Sequence, residues 1–155
     1  MTITMKADLS KGTLTAFEST IGISCIIRNE VNGWRKKNEV VYSIPDNKPI
    51  QPRQFPKGVW AVGKPDARTG NPYLEPFFIP TSAWQDLPIW ALDSNKCYLK
   101  ETANKVKDKG YGLHYSTSTS TQGCIRINNK SDLLWLVNMI KNHQSAGDVI
   151  MLEVV

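Results

Sequence analysis

The sequence contains no long apolar run. No stretch of its 155 residues approaches the length of a membrane span, and residues 1–11 hold no apolar segment of signal-peptide length. We therefore expect a chain that is made as a soluble cytoplasmic protein. If its substrate lies outside the cytoplasm, something other than a standard amino-terminal signal has to deliver it.

Histidines and paired cysteines are also scarce. The chain has two histidines, and its three cysteines form neither a CxxC pair nor the dense framework of a small secreted scaffold. Because this pattern offers no metal-ligand spacing, we expect neither a metal nor a cofactor. The Gly-x-Ser-x-Gly turn of many serine hydrolases is missing too, which argues against a serine nucleophile.

The chain does contain enough apolar residues for one core, together with many turn formers. Hydrophobic residues make up 41% of the sequence, and nine prolines and ten glycines are scattered along it. This length and composition predict a single domain over residues 1–155, with residues 1–11 as a flexible start. The many turn signals favour short elements, so the predicted fold class is mainly β, a β-rich α+β arrangement.

The charge balance gives a weak indication of the partner. There are 19 basic and 14 acidic residues, for a formal charge of +5. An excess of positive charge favours anionic partners. The lysines and arginines are spread along the chain, as on an ordinary solvated surface, so we predict no nucleic-acid partner.

Hydrophobic periodicity locates several elements in the first two thirds of the chain. Leu14–Phe17 and Ile23–Ile27 are β-prone runs that Gly22 separates, which predicts a hairpin or two successive strands. The charged run Lys100–Lys109 predicts a short helix that ends at Gly110.

The clearest helical signal comes late in the chain. Leu133, Leu136, Val137 and Ile140 recur on one face of Ser131–His143, behind a capping residue at Asn129 or Ser131. Asp148–Val155 then closes the chain as a nearly continuous apolar strand, which is typical of a strand paired on both sides.

Cys124 has the surroundings of a nucleophile. His114 lies in the predicted strand Tyr111–Tyr115, and Cys124 follows ten positions later, after the hydroxyl-rich run Ser116–Thr121. A cysteine nucleophile needs a base within reach and donors for the oxyanion. Gly123 allows a close backbone approach, so the amides of Gly123 and Cys124 are candidate oxyanion donors.

Other groups near Cys124 fit the same chemistry. The positive charge of Arg126 would favour a thiolate or hold a substrate carboxylate in a bidentate contact. Ser118, Ser120 or Thr121 would orient the imidazole. From the residues alone a second interpretation stays open, in which Cys124 is a buried strand cysteine and His114 a satisfied polar residue.

A resemblance to a known family decides between these interpretations. The segment Thr121–Ile127, preceded by Gly112–His114, resembles the active-site signature of the L,D-transpeptidase catalytic domain family, also called the YkuD domain. The resemblance extends over residues 12–155. Outside the signature it rests on segments that are similar to the family's strand entry, its substrate-side loop and the start of its last helix: Phe55–Trp60, Gly70–Tyr73 with Phe77 and Phe78, and Asn128–Asp132.

The resemblance implies a β-sandwich with a helix after the cysteine, and it implies roles for individual residues. Cys124 and His114 would be catalytic, Gly123 and Cys124 would supply the oxyanion amides, and Arg126, Thr121, Gln122 and Tyr111 would bind substrate or shape the site. The chain departs from the family pattern in two ways. Gln122 stands where the family often has a second histidine, and the span from His114 to Cys124 is shorter than in most members.

The implied reaction is acyl transfer on peptidoglycan. Cys124 would attack the diamino-acid carbonyl of a tetrapeptide stem and release the terminal D-residue. An amine of another stem, a free D-amino acid or water would then accept the acyl group, which gives transpeptidation, exchange or L,D-carboxypeptidase activity. With no leader apparent, the chain resembles a phage-encoded or secretion-system effector that acts at the cell wall in the periplasm, with delivery machinery or a cognate inhibitor as partners.

Two other functions remain as alternatives. The first is a non-catalytic peptidoglycan-binding or phage structural module. It would have the same fold and bind acidic glycopeptide through Arg126 and the basic surface. The second is a cysteine peptidase that cleaves ordinary unfolded protein and is indifferent to D-residues. Thiol-dependent turnover distinguishes the first from an enzyme, and dependence on D-residues distinguishes the second.

Overall fold

A computed structural model of the chain describes residues 1–25, 34–37, 40–43, 54–70, 74–92, 98–116 and 123–155. These residues form thirteen strands and one helix. In chain order the elements are β1 (Thr2–Asp8), β2 (Thr13–Ala16), β3 (Ser19–Ser24), β4 (Trp34–Lys37), β5 (Val40–Ser43), β6 (Gly58–Ala61), β7 (Asp66–Ala67), β8 (Phe77–Pro80), β9 (Trp84–Leu92), β10 (Tyr98–Lys109), β11 (Gly112–Tyr115), β12 (Ile125–Ile127), α1 (Lys130–Ser145) and β13 (Val149–Val154).

Nine of the strands form one curled sheet. Its order is β6-β13-β1-β2-β3-β12-β11-β8-β7, and the pairs β1–β13 and β11–β12 are parallel. The first strand of this series meets the last but one: just after β6, Val62 forms a bridge with Thr81 at the end of β8, and Gly63 N donates to Pro80 O at 2.8 Å. Hydrogen bonding between its distant strands therefore curls the sheet around the core. The strands β9 and β10 form a separate two-stranded sheet, as do β4 and β5.

The helix α1 covers one face of the part of the sheet that contains β11 and β12. Asn129 caps it, because its side-chain oxygen accepts from Ser131 N at 2.8 Å. The predicted apolar stripe is buried, and it joins the strand residues Leu113, Ile125 and Ile127 in the core. Burying an apolar side chain of this size stabilises the fold by about 1.5–3 kcal/mol. No helix in the described ranges is long and apolar enough to cross a membrane.

The turn between β2 and β3 consists of Phe17 and Glu18, both with positive φ, 48° and 67°. Two residues with positive φ are what a tight two-residue hairpin turn requires, although bulky side chains rarely adopt that backbone. The Phe17 ring stacks on the His143 ring of α1 at 4.9 Å and meets the Trp135 ring edge-on at 6.1 Å. These contacts compensate for the unusual backbone and tie the turn to α1.

The predicted fold class, mainly β with one clear helix after Cys124, is confirmed. The predicted hairpin is present, but its turn lies at Phe17 and Glu18, and Gly22 lies inside β3. The helix predicted for Lys100–Lys109 is wrong, because these residues belong to β10 and pair with β9. Pairing with a long neighbouring strand overrides the weak helical propensity of a charged segment.

The first eleven residues also differ from the expectation of a flexible start. Thr2–Asp8 is β1, which lies between β13 and β2, and its residues Met5 and Ala7 are completely buried. The alternation of Ile3, Met5 and Ala7 with polar residues is short, so it gives only a weak strand signal in the sequence. The partner that buries it, β13, lies at the other end of the chain.

The contact between α1 and β13 predicts a pH-dependent contribution to stability. His143 Nδ1 lies 2.9 Å from Asp148 Oδ2, and this hydrogen bond holds the pKa of the Asp148 carboxyl below its usual value. A lowered carboxyl pKa stabilises the fold above the ordinary value of about 3.9 and ceases to do so as the pH falls through the folded value. We expect Asp148→Asn to lower the melting temperature at pH 6, with wild type and variant converging below about pH 4.

Melting curves recorded by circular dichroism between pH 3 and pH 7 measure this difference. Glu18→Gln, which removes an exposed carboxylate, is the control variant. A constant difference between wild type and Asp148→Asn across that range would contradict the assigned role of the carboxylate.

Candidate active site

The strands β11 and β12 position the predicted catalytic residues. Their parallel register pairs Leu113 with Ile125, His114 with Arg126 and Tyr115 with Ile127. Leu113, Ile125 and Ile127 are fully buried on the face that α1 covers. Since side chains alternate along a strand, His114 and Arg126 lie on the opposite face. We call that opposite face of β8, β11 and β12 the site face.

Cys124 lies on the site face as well. It immediately precedes β12 and lies two positions before Arg126, so alternation gives it the same side as that arginine. Continuing the parallel register by one residue brings Cys124 beside Gly112, diagonal to His114. A diagonal of this kind separates the two Cα atoms by roughly 8 Å, which the side chains of cysteine and histidine can bridge. Cys124 is half-buried, and its sulfur lies 4.0 Å from Gly110 O.

The His114 ring has a hydrogen-bond partner that would leave its other nitrogen able to act as a base. Its Nδ1 lies 3.4 Å from the carbonyl oxygen of Tyr115, the next residue. In the tautomer that carries its proton on Nδ1, the ring donates to this carbonyl, and the lone pair of Nε2 can accept a thiol proton. The side chain is buried, at 5% exposure. Sequence reasoning assigned the orienting role to hydroxyl side chains, and it missed Tyr115 because a backbone carbonyl leaves no signature in a sequence.

The predicted orienting and site-shaping residues next to the cysteine lie outside the described residues. These are Ser118, Ser120, Thr121 and Gln122, so their roles stay predictions. Tyr111 is described and buried. Its hydroxyl accepts from Gln85 Nε2 at 2.6 Å and donates to the Asp108 carboxylate, and its ring meets the Phe55 ring edge-on at 5.5 Å. These contacts anchor the chain just before Gly112, and the site-shaping role of Tyr111 stays a prediction.

Arg126 is held by contacts with other parts of the protein. Its Nε donates to Ser24 Oγ at 3.1 Å, and its Nη1 donates to Ser116 O at 3.1 Å. Ser24 in turn donates to Asn128 Oδ1 at 3.1 Å. The guanidinium therefore connects β3 with the end of β11, and two of its five N–H donors are used for that purpose. Sequence reasoning predicted the cation here but not this bracing role.

Gly123 has the backbone conformation that favours glycine, with φ +114°. Its carbonyl oxygen accepts from the thiol of Cys25, with 3.7 Å between sulfur and oxygen. The carbonyl and the next N–H point in opposite directions across a planar trans peptide. The Cys124 amide therefore points away from Cys25. Burial raises the pKa of the Cys25 thiol, which keeps it protonated and able to donate.

Phe78 forms one wall of the site face. It pairs with His114 across β8 and β11, and the two ring centroids are 6.4 Å apart. Its ring also lies over Gly112: a Cβ on that glycine would stand 2.4 Å from Phe78 Cζ and 2.4 Å from Ile79 O. The family resemblance placed Phe78 with the substrate-side loop, and the pairing of β8 with β11 puts its ring next to His114.

The contact between Phe78 and Gly112 predicts the effect of a single methyl group. We expect Gly112→Ala to push β8 away from β11, because one of the clashing atoms is a backbone oxygen that cannot rotate away. Overpacking of this kind costs about 1–3 kcal/mol. Urea unfolding measures the free energy of unfolding, and the displaced His114 would also lower any thiol-dependent turnover. A variant with wild-type stability and wild-type activity would show that the strands are not this tightly packed.

Among the described residues, no group of three or more His, Cys, Asp or Glu side chains is arranged to hold a metal ion. The two described cysteines, Cys25 and Cys124, are not in a disulfide. The third, Cys97, lies outside the described residues.

Comparisons with known proteins give one structural match. Neither the known family models nor the curated protein sequences contain a match to this chain. Among solved structures, the crystal structure of an L,D-transpeptidase from Xylanimonas cellulosilytica is similar over 99% of this chain, with 16% sequence identity and a TM-score of 0.48. The similar region is 60% of that chain, so this protein spans three fifths of its length. At this identity the similarity concerns the path of the backbone and assigns no role to any residue.

Proposed function

We propose that this protein is a cysteine enzyme that transfers acyl groups on peptidoglycan stem peptides, with Cys124 as nucleophile and His114 as base. The observation that carries the proposal is the parallel register of β11 and β12, which pairs His114 with Arg126 on one face of the sheet, with Cys124 immediately before β12. The resemblance of Thr121–Ile127 to the L,D-transpeptidase signature supplies the substrate class.

In the first half of the reaction, His114 Nε2 takes the thiol proton as Cys124 Sγ attacks the carbonyl of the diamino acid in a tetrapeptide stem. The electron pair of the carbonyl moves to its oxygen, which the amides of Gly123 and Cys124 stabilise. Collapse of this intermediate breaks the amide bond. His114 protonates the leaving amine, the terminal D-residue departs, and a thioester to Cys124 remains.

In the second half, the acceptor attacks the thioester. His114 takes a proton from the incoming amine or water, and the Cys124 thiolate leaves and recovers that proton from the imidazolium. An amine on another stem gives a cross-link, a free D-amino acid gives exchange, and water gives L,D-carboxypeptidase activity.

The electrostatics of the site support this chemistry. The Tyr115 carbonyl stabilises the imidazolium that forms in both halves, because it accepts from Nδ1. Arg126 is anchored by Ser24 and Ser116, which fixes a positive charge on the face of the sheet that His114 shares. The raised pKa of Cys25 makes that second thiol a poor competitor as nucleophile.

Muropeptide analysis tests the proposal. Purified wild type, Cys124→Ala and His114→Gln are incubated with sacculi and with disaccharide tetrapeptide, and the products are identified by mass spectrometry. We expect wild type alone to release the terminal D-residue or to form new cross-links. His114→Gln should lose about 10²–10⁴-fold in kcat because it removes the general base.

Cys25→Ser is the matched control for loss of a thiol, because a hydroxyl can still donate to Gly123 O, and it should retain turnover. Binding of Cys124→Ala to sacculi without any turnover by folded, reduced wild type would favour the non-catalytic binding module. Cleavage of an unfolded protein that contains no D-residues would favour the ordinary peptidase.

We further propose that the protein acts at the bacterial cell wall, on the periplasmic side, after delivery by a phage or by a secretion machine. Peptidoglycan stems are cross-linked outside the cytoplasm, so activity on them requires transport. We expect bacteria that make the protein to swell or lyse when an export signal is added to it and to grow normally when it stays in the cytoplasm. Equal toxicity of both forms would contradict this location. Relief of toxicity by the co-expressed product of a neighbouring gene would identify a cognate inhibitor.

A further inference from the structure

A row of paired residues crosses five strands of the sheet on the site face. Strand β7 lies at the edge and β3 on the far side of β12. The pairs, in order from β7 to β3, are Asp66 with Phe78, Phe78 with His114, His114 with Arg126, and Arg126 with Ser24. Directly paired residues share a face, so this row is the floor of the candidate site. The base lies at its centre, and the two halves of the floor differ in their side chains.

The half on the side of β7 carries a second cation, Arg68. Its guanidinium carbon lies 5.5 Å from the centre of the Phe78 ring, and the other neighbour of that ring is His114. Arg68 Nε donates to Asp66 Oδ2 at 2.8 Å. The Asp66 carboxylate and the face of the Phe78 ring thus orient the guanidinium. The Phe78 ring lies between this guanidinium and the His114 imidazole.

The two arginines of the floor are held in different ways. Arg126 uses Nε and Nη1 on Ser24 and Ser116, so its donors brace β3 against β11. The side chain of Arg68 is 38% exposed, and its hydrogen bond to the exposed Asp66 involves Nε. Pairs between exposed charges contribute little to stability, so an incoming anion can compete with or join this pair. The terminal nitrogens of Arg68 have the geometry for a bidentate contact with a carboxylate.

We propose that Arg68, supported by the Phe78 ring, binds a carboxylate of the donor stem peptide on the side of His114 opposite Arg126. This subsite rests on the proposed function. The sequence suggested that Arg126 binds a substrate carboxylate, but Arg126 donates to Ser24 and Ser116. In this proposal Arg68 binds the carboxylate instead. The apolar Phe78 ring packs against the stem beside that carboxylate, so the donor peptide lies across β8 with its scissile carbonyl at Cys124.

The chain offers a matched control for the removal of this cation. Lys141 of α1 lies over the Phe77 ring, with its nitrogen 4.7 Å from the ring centre. Phe77 precedes Phe78 in β8, so it points to the opposite face of the sheet, toward α1. Lys141→Gln therefore removes a cation from an aromatic ring in the same strand without touching the site face.

The experiment measures turnover of disaccharide tetrapeptide and of derivatives in which each stem carboxylate is singly converted to the amide. It compares wild type, Arg68→Gln, Arg68→Lys and Lys141→Gln. We expect Arg68→Gln to raise KM about tenfold on the free acid with little change in kcat, since a charge-assisted hydrogen bond is lost in the bound state. Wild type should show the same rise on one of the amidated substrates, and Arg68→Gln should show no further rise there.

Arg68→Lys should recover part of the loss, and Lys141→Gln should behave as wild type. The subsite would be overturned if Arg68→Gln raised KM equally for all substrates or left KM unchanged. It would also be overturned if Lys141→Gln raised KM as much as Arg68→Gln does. Melting curves of each variant identify any general loss of folding.

A second readout separates the failure of this subsite from the failure of the proposed function. Calorimetric titration of Cys124→Ala with the free acid, with and without Arg68→Gln, measures binding in the absence of turnover. If wild type turns over none of the substrates, the proposed reaction fails, while Arg68-dependent binding of the acid would still support the subsite. Binding that is absent, or that does not depend on Arg68, would overturn the subsite whether or not wild type is active.

Discussion

The parallel pairing of β11 with β12 is the constraint on which the candidate site depends. In a parallel pair, residues at equal steps along the two strands lie side by side, so the two positions from Gly112 to His114 match the two positions from Cys124 to Arg126. A shift by one residue would turn the thiol and the imidazole to opposite faces. The fully buried Leu113, Ile125 and Ile127 prevent this shift, because it would expose them to the site face.

The helix α1 reinforces this register from the other side. It contacts β8, β11, β12 and β13, and its buried stripe fills the space against their apolar side chains. The sheet is thereby divided into a packed face that supplies stability and an opposite face that carries the candidate site. Gly112 and Gly123 complete the arrangement: one lets Phe78 lie flat on the strand, and the other turns the backbone before Cys124. A residue with a side chain fits poorly at either position.

Charge on the site face is distributed around the base. Arg126 lies on the β3 side of His114 and is braced by hydroxyl and carbonyl oxygens, whereas Arg68 lies on the β7 side over an aromatic ring. The first arrangement couples the site to the fold, since the same hydrogen bonds hold the strands and the charge. The second leaves an oriented cation at the edge of the sheet. An anionic peptide that crosses β8 toward Cys124 would meet this cation before it meets the nucleophile.

The sequence by itself determined several local elements and predicted the catalytic motif. Its apolar periodicity predicted α1 with its cap and buried stripe, its β-prone runs predicted β11, β12 and β13, and the order of His114, Gly123, Cys124 and Arg126 predicted a thiol site. These signals are local, because each depends on residues that lie close together in the sequence. Only the tertiary structure decided that Lys100–Lys109 is a strand, that β1 lies inside the sheet, and that Arg68, Ser24 and Cys25 lie around the motif. Those outcomes depend on which distant strands pair, and a single sequence does not record the partner of a strand.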